Sequence, residues 1–208
     1  MDAESIEHKL KACGLVEITD SHFIIDMMYA RRENIADLPV YKQIGLGNRA
    51  FAHPQVIEKM LSLIPELEML NLKLRICDAY RPPLAHILLM QQVPLPGLFA
   101  ENYQLSNHCH GTAVDVCLTD LNGNNLDFPT EIDAYTPEIA QALHQGNPTP
   151  LRENLIRARH DYQDASPTAL TNRKLLKELM ISHGFEPIPH EWWHYNLQNF
   201  EDYPVITI

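Results

Sequence analysis

The sequence predicts a single compact domain of the α+β class, in which helices pack against a central antiparallel sheet. The length of 208 residues is typical of one domain, and a hydrophobic content of 45% is ample for one sizeable core. Some segments alternate apolar and polar residues as strands do, whereas others carry apolar residues at helical spacing. Because no internal repeat divides the sequence, we treat residues 1–208 as one domain.

The N-terminal half is predicted to alternate short strands with helices. The expected elements are a helix at 1–13, strands at 15–18 and 23–27, a loop at 29–50, a helix at 55–70 and a strand at 72–78. Pro65 falls inside the longer helix and predicts a break or kink, since proline removes a backbone donor. Arg81 precedes a proline, which favours extended backbone just after the strand.

The C-terminal half is predicted to contain one strong strand and four further helices. The expected elements are a helix at 84–92, a loop at 93–107, a strand at 112–118, a turn at 119–125, a return strand at 126–128, a helix at 134–145, a linker at 145–150 and helices at 151–162 and 168–183. The turn contains Asn-Gly, which is typical of hairpins. Gly184 supplies the stop signal for the last helix.

Charge and composition narrow the class of partner. A net charge of −11 argues against nucleic acid or an anionic membrane as a binding partner. The polar, acidic start does not resemble a signal peptide, and no apolar run reaches the ~20 residues that a membrane helix needs. Four widely spaced cysteines do not suggest a disulfide framework. These features predict a cytoplasmic protein.

Residues 106–115 are the stretch richest in reactive groups. His108, Cys109, His110 and Asp115 bring two imidazoles, a thiol and a carboxylate together, and all of these bind transition metals. On the predicted strand Asp115 lies opposite well-packing residues, where an unpaired carboxylate is costly and a metal-bound one is satisfied. The seven-residue gap to Asp115 favours His108 as the ligand, with His110 as the alternative.

The remaining ligands are expected near the C-terminus. Glu191 and His194 are three residues apart, so a helical turn or a tight bend can bring both to one site. His108, Asp115 and His194 form a three-ligand set with one open position, which is typical of catalytic zinc. Structural zinc sites are rich in cysteine, and the sequence has no Cys-x-x-Cys pair.

Four motifs in this order resemble a known family. They are Tyr-Ala-x-x-x-Asn at 29–34, Asp-x-Tyr-Arg-Pro at 78–82, Ser-x-His-x-x-Gly-x-Ala-x-Asp at 106–115 and Glu-x-x-His at 191–194. Together they are similar to the zinc D-alanyl-D-alanine dipeptidases, whose group also contains D,D-carboxypeptidases and the Hedgehog signalling domain. The resemblance covers most of the chain. It implies the fold of that group and one Zn²⁺ per chain.

The resemblance also implies a mechanism, in which a zinc-bound water attacks the peptide bond of D-Ala-D-Ala. Glu191 would act as general base and then general acid, and Arg81 would stabilise the oxyanion. Ser106 and Tyr29 would help to bind the substrate. From position alone, Arg81 is more often a surface or ion-pair residue and Tyr29 a packing aromatic.

Asp133 is the residue expected to select a free dipeptide. Residues 128–133 resemble a degenerate form of the family's Met-Gly-Thr-x-Phe-Asp element, which would place Asp133 on the substrate ammonium group. Binding of that ammonium would exclude peptides blocked at the amine. The structural alternative is that Asp133 caps a helix at 134–145.

Other functions stay open or are disfavoured by particular residues. A D,D-carboxypeptidase acting on longer wall peptides is the nearest alternative, and a non-catalytic zinc-binding protein of the Hedgehog type is another. Glu191 and Arg81 argue against the second, since a structural site needs neither. No Gly-x-Ser-x-Gly supports a serine hydrolase, and Cys109 and His110 are adjacent and would face apart. The native metal, homo-oligomerisation and the cellular role stay open.

Overall fold

The computed structural model describes residues 3–208, with side chains from Ile6 onward. The strands are β1 (Val16–Glu17), β2 (Phe23–Ile25), β3 (Phe51–Ala52), β4 (Leu72–Asp78), β5 (Ala113–Asp120), β6 (Glu186–Pro187) and β7 (His194–Asn196). The helices are α1 (Ala3–Ala12), α2 (Val40–Gln43), α3 (Pro54–Ser62), α4 (Ile64–Leu70), α5 (Pro83–Gln92), α6 (Pro137–His144), α7 (Thr149–Arg157) and α8 (Pro167–Ser182). Short 3₁₀ turns lie at Met28–Ala30, Tyr103–Leu105, Asn107–His110, Ile132–Ala134 and Phe200–Asp202.

The α+β class is confirmed, but the main sheet is mixed rather than wholly antiparallel. Its strand order is β2-β4-β5-β7-β6, and a separate two-stranded sheet joins β1 to β3. The pairs β4–β5, β5–β7 and β6–β7 are antiparallel, whereas β2 and β4 run parallel. A parallel pair needs a long crossover connection, and the chain between β2 and β4 supplies one that contains α2, α3 and α4.

Strand β5 is the centre of the sheet and is covered on both faces. All its residues except the last are buried. The predicted turn follows it, with Gly123 in the left-handed region at φ +85°. The predicted return strand at 126–128 is wrong, because pairing with β5 stops after Leu126. The next residue, Asp127, is bonded instead to Ser166 and Asn172 at the start of α8.

Several predicted helices are confirmed with shifted ends. The kink expected at Pro65 is present, since α3 ends before α4 begins at Ile64. The His183 ring contacts Ser62 and Glu66 across that joint, at 2.7 and 3.2 Å. Helix α6 starts later than predicted, and α7 starts inside the predicted linker. The first predicted helix is observed as α1, although its residues 1 and 2 lie outside the described part.

The end of the sheet brings residues from three strands together. Asp78 at the end of β4 pairs with Asp115 of β5, after a bulge that follows Ile76. On the other side of β5, Asp115 pairs with His194, the first residue of β7. Residues that are distant in sequence therefore meet at one sheet end. No helix within residues 3–208 is long and apolar enough to cross a membrane.

Candidate metal centre and active site

Three buried side chains converge at that sheet end. They are His108 from the 3₁₀ turn Asn107–His110, Asp115 from β5 and His194 from β7, and their ligand atoms all lie within 4.8 Å of one another. His108 Nε2 lies 3.2 Å from His194 Nδ1, and Asp115 oxygens lie 3.4 and 3.1 Å from these two nitrogens. Two imidazoles and a carboxylate are a donor set that suits divalent zinc.

The surroundings of these side chains fit a bound cation. His108 Nδ1 donates to the Ala79 carbonyl oxygen at 2.8 Å, which leaves the Nε2 lone pair directed into the site. Burial lowers the pKa of the His194 imidazole, so this ring is neutral and able to act as a ligand. Burial alone would raise the pKa of Asp115, but the two imidazoles hold it well below its usual range. The residues present therefore fit a divalent metal.

The backbone that presents His108 is a short helical turn, which the sequence did not predict. Residues 107–110 form a 3₁₀ turn, which Gly111 ends in the left-handed region at φ +69°. A Cβ at this glycine would lie 2.7 Å from a Leu15 side-chain atom, so the position is tight as well as strained. His110 faces away from the triad, because its ring nitrogens lie 2.6 and 2.9 Å from the carbonyl oxygens of Tyr203 and Gln104. The alternative ligand assignment therefore lacks support.

Glu191 stands beside the triad in the same cavity. A two-residue turn separates it from His194, and its Oε2 lies 3.9 Å from His194 Nδ1. The side chain is 15% exposed. Burial and repulsion from the carboxylates of Asp115 and Asp133 raise its pKa well above the usual range. A carboxyl group with a raised pKa in a cavity is a candidate for proton transfer.

Arg81 is buried and held rigidly by a residue to which the sequence analysis gave no role. Its Nε and Nη2 both donate to Asp78 Oδ2, at 3.0 and 2.7 Å. Asp78 is fully buried and also accepts the Tyr41 hydroxyl at 2.5 Å. The Tyr29 and Phe99 rings lie 5.2 and 5.5 Å from the guanidinium carbon. The signal for Asp78 was present, since an acid three residues before Arg81 is part of the Asp-x-Tyr-Arg-Pro motif.

Asp133 lines the cavity, and Tyr29 binds it from behind. Tyr29 is fully buried and its hydroxyl donates to the Asp133 carboxylate. Asp133 and Ala134 both have positive φ, at +56° and +54°, which is strained for residues other than glycine. The helix-capping alternative for Asp133 is wrong, because Thr136 caps α6 through the Ile139 amide.

The cavity that contains these groups has a volume of about 650 Å³. Of the predicted site residues, it is lined by Arg81, Ser106, His108, Asp115, Asp133, Glu191 and His194. Ser106 is buried beside His108, where its carbonyl oxygen accepts the Cys109 amide at 2.8 Å. Phe99 and Arg159 also line the cavity, and neither was predicted as a site residue. Neither belongs to a periodic pattern or a motif, so the sequence carried no signal for them.

Comparisons with known proteins agree with the motifs. The chain is 32% identical over 183 residues to the D-alanyl-D-alanine dipeptidase of Escherichia coli (strain K12), which covers 88% of this chain and 83% of that relative. This chain belongs to the D-alanyl-D-alanine dipeptidase family. The Enterococcus faecium protein of the same name is 26% identical over 206 residues, a match that covers 86% of this chain and 87% of that relative. A family profile described as D-ala-D-ala dipeptidase matches residues 151–204.

Membership of the D-alanyl-D-alanine dipeptidase family makes the chain a metallopeptidase and confirms the resemblance seen in the motifs. The matched profile includes Glu191 and His194, whereas His108 and Asp115 lie before it. The structure therefore adds what the profile leaves out, because it places all four side chains around one cavity.

Asp133 gives a prediction about stability that does not depend on catalysis. Burial, with repulsion from Asp115, raises the pKa of Asp133 from an ordinary 3.8 to about 7. Between these values the folded metal-free protein keeps a proton that the unfolded chain has released, so its stability falls as pH rises. Asp133→Asn removes this titration. We expect the free energy of unfolding of the variant, relative to wild type, to rise by up to about 1.4 kcal/mol per pH unit in that window.

The measurement is urea unfolding in the presence of a chelator from pH 4.5 to pH 8. The exposed carboxyl of Asp164, replaced by asparagine, serves as the control. An asparagine at 133 can still accept the Tyr29 hydroxyl, so the comparison isolates the charge. A stability difference for Asp133→Asn that stays constant across this range would contradict the raised pKa.

Proposed function

We propose that this protein hydrolyses the free dipeptide D-Ala-D-Ala to two D-alanines at a Zn²⁺ held by His108, Asp115 and His194. The observation that carries the proposal is the convergence of this triad with Glu191 in one cavity, which the buried side chain of Arg81 also lines. The names of the E. coli and E. faecium relatives support the substrate. A Zn²⁺ in the triad would supply Lewis acidity, which polarises the scissile carbonyl and makes water a stronger acid.

Glu191 is proposed to move the proton. As general base it takes a proton from the attacking water while the water oxygen bonds to the carbonyl carbon. It then gives that proton to the leaving nitrogen as the carbon–nitrogen bond breaks. Its raised pKa suits both halves of the cycle, since the group must accept and release a proton near neutral pH.

Arg81 is proposed to stabilise the negative charge that develops on the carbonyl oxygen. The Asp78 carboxylate and the two aromatic rings fix the guanidinium before the substrate binds. A donor that is already oriented needs no rearrangement when charge develops, and such donors favour the transition state over the bound substrate. Asp78 is therefore a positioning residue for Arg81.

Asp133 is proposed to bind the substrate ammonium, with Tyr29 holding the carboxylate in place. The ammonium group of a zwitterionic dipeptide would place a positive charge beside this buried carboxyl, whose pKa is raised by burial and by repulsion from Asp115. Binding of the ammonium would convert Asp133 to its ionised form, because an opposite charge at close range lowers a carboxyl pKa. Ser106 lines the same cavity beside His108 and is proposed to contact the remainder of the dipeptide.

The test is release of D-Ala by the purified zinc-loaded protein from three peptides. Free D-Ala-D-Ala should be hydrolysed, whereas the N-acetylated dipeptide and a pentapeptide ending in D-Ala-D-Ala should not. Preferred turnover of the pentapeptide would replace the proposal with a D,D-carboxypeptidase. Zinc-loaded protein that hydrolyses none of the three would leave the non-catalytic zinc-binding alternative.

Replacing Arg81 by lysine is expected to lower kcat by about 10²- to 10³-fold, with a smaller change in KM. Lysine keeps the charge but cannot reproduce the two-nitrogen contact with Asp78 that aims the donor. Steady-state kinetics on the free dipeptide provide the measurement. Arg49→Lys is the matched control, because Arg49 makes a similar forked contact with Glu17 on the surface. Equal losses in both variants would argue against a role of Arg81 in the transition state.

A further inference from the structure

One side of the cavity is formed by an irregular segment, which we call the wall segment (residues 97–105). It connects α5 to the 3₁₀ turn that carries His108. Gly97, Leu98, Phe99, Ala100, Glu101 and Leu105 from this segment all line the cavity. Leu98 is its single buried residue. Because the wall segment buries little apolar surface, its position depends on specific contacts with the rest of the protein.

Two buried histidines bind backbone carbonyl oxygens of the wall segment. His86 in α5 is fully buried, and its Nε2 lies 3.0 Å from the Ala100 oxygen. His110 Nε2 lies 2.9 Å from the Gln104 oxygen. A carbonyl oxygen only accepts, so Nε2 of His86 carries the proton. The other ring nitrogen, Nδ1, is buried without a partner among residues 3–208.

His86 is also linked to Arg81 through an aromatic ring. The Phe99 ring packs edge-on against the His86 ring, with centroids 6.2 Å apart. Phe99 also lies 5.5 Å from the Arg81 guanidinium carbon. Helix α5, which carries His86, begins two residues after Arg81. The wall segment therefore supplies one of the two rings beside Arg81, whereas the Asp78 contact that aims the guanidinium lies outside it.

We propose that His86 is a positioning residue that holds the wall segment against the cavity and thereby sets the affinity for substrate. A fully buried imidazole with one unpartnered nitrogen is a costly choice for packing alone, where an aliphatic side chain would suffice. The contacts of His86 with the Ala100 oxygen and the Phe99 ring explain why an imidazole is present at this buried position. Burial lowers the pKa of His86 to about 4, which keeps the ring neutral and the Nε2 donor in place at neutral pH. The kinetic part of this proposal rests on the proposed dipeptidase activity.

The test compares His86→Leu with His86→Gln. Leucine fills the space without a donor, whereas the glutamine amide nitrogen can take the place of Nε2 and bind the Ala100 oxygen. For His86→Leu we expect KM for D-Ala-D-Ala to rise about 5- to 10-fold with kcat nearly unchanged, as for the loss of one hydrogen bond. Amide hydrogen exchange in peptides from residues 94–106 should accelerate by a similar factor, while the core strands exchange as in wild type. His86→Gln should restore both quantities to within about 2-fold.

The exchange measurement separates this proposal from the proposed function, because it needs no turnover. If wild type fails to hydrolyse the dipeptide, exchange in residues 94–106 still decides whether His86 holds the wall segment. Unchanged exchange in His86→Leu would overturn the proposal, and so would a glutamine variant as impaired as the leucine variant. His183→Leu is the control for a partly buried, hydrogen-bonded ring removed elsewhere, since His183 bonds Ser62 and Glu66. It should change neither KM nor exchange in residues 94–106.

Discussion

Replacing Glu191 by glutamine is expected to lower kcat for D-Ala-D-Ala by about 10³- to 10⁴-fold, while the protein should still fold and bind one Zn²⁺ per chain. Glutamine has nearly the same shape as glutamate but cannot accept the proton of the attacking water, and general base catalysis contributes on this scale. The metal should stay, because the three convergent ligands are other residues. The measurement combines steady-state kinetics with metal analysis of the same preparation.

The pH dependence of Glu191→Gln provides a second check on the same role. A general base must be ionised in the free enzyme, so kcat/KM of wild type falls as pH drops below the Glu191 pKa, which is raised by burial and by neighbouring carboxylates. The residual activity of the variant should lack this acid limb. Glu186→Gln, at an exposed position in β6, is the control and should behave as wild type. Activity of Glu191→Gln within about 10-fold of wild type would assign the base to another group.

Removal of the metal is expected to abolish turnover and to lower the melting temperature, and Zn²⁺ restores both. A ligand that binds only the folded state stabilises it by about 4 kcal/mol at a free concentration 1,000 times its Kd. Without a cation, the buried Asp115 carboxylate keeps its contacts with the imidazoles of His194 and His108, at 3.1 and 3.4 Å, but has no divalent charge beside it. Titration of Zn²⁺ into chelator-treated protein, followed by thermal unfolding, measures the effect.

The ligand assignment is tested by His194→Ala in the same thermal titration. This variant should show no activity and almost none of the zinc-dependent rise in melting temperature. His22→Ala is the matched control, since His22 pairs with Asp20 and Glu68 at the surface, and it should keep the full rise. A full zinc-dependent rise in His194→Ala would show that the metal binds elsewhere.

The parts of the site that follow from local sequence could be predicted. Strand β5 and its acid Asp115 were evident from alternation and from the cost of burying a lone carboxylate. The three-residue spacing of Glu191 and His194 predicted that both side chains reach the same site, and in the structure they lie 3.9 Å apart. The 3₁₀ turn at His108 was missed, because its formation depends on Gly111 fitting tightly against Leu15, which is a contact between distant segments.

The parts that depend on tertiary contacts could not be predicted. The sequence placed Tyr29 and Asp133 among the substrate residues separately, yet their bond joins residues 104 positions apart. The parallel pairing of β2 with β4 likewise depends on how the crossover packs, and strand composition does not reveal it. Phe99 belongs to an irregular segment, where no periodicity marks a functional side chain.

The order in which the site can form during folding follows from the separation of its ligands along the chain. His108 and His194 are 86 residues apart, and Asp115 and His194 are 79 apart. No short stretch of unfolded chain can gather all three proposed ligands, so a metal bound by them would meet the complete set only after β5 and β7 have paired. Contacts of such long range form slowly. A metal that binds the native state but not the unfolded chain stabilises the native state. Zinc should therefore act mainly by slowing unfolding. We expect it to lengthen the lifetime of the protein under proteolysis by a larger factor than it raises the refolding rate.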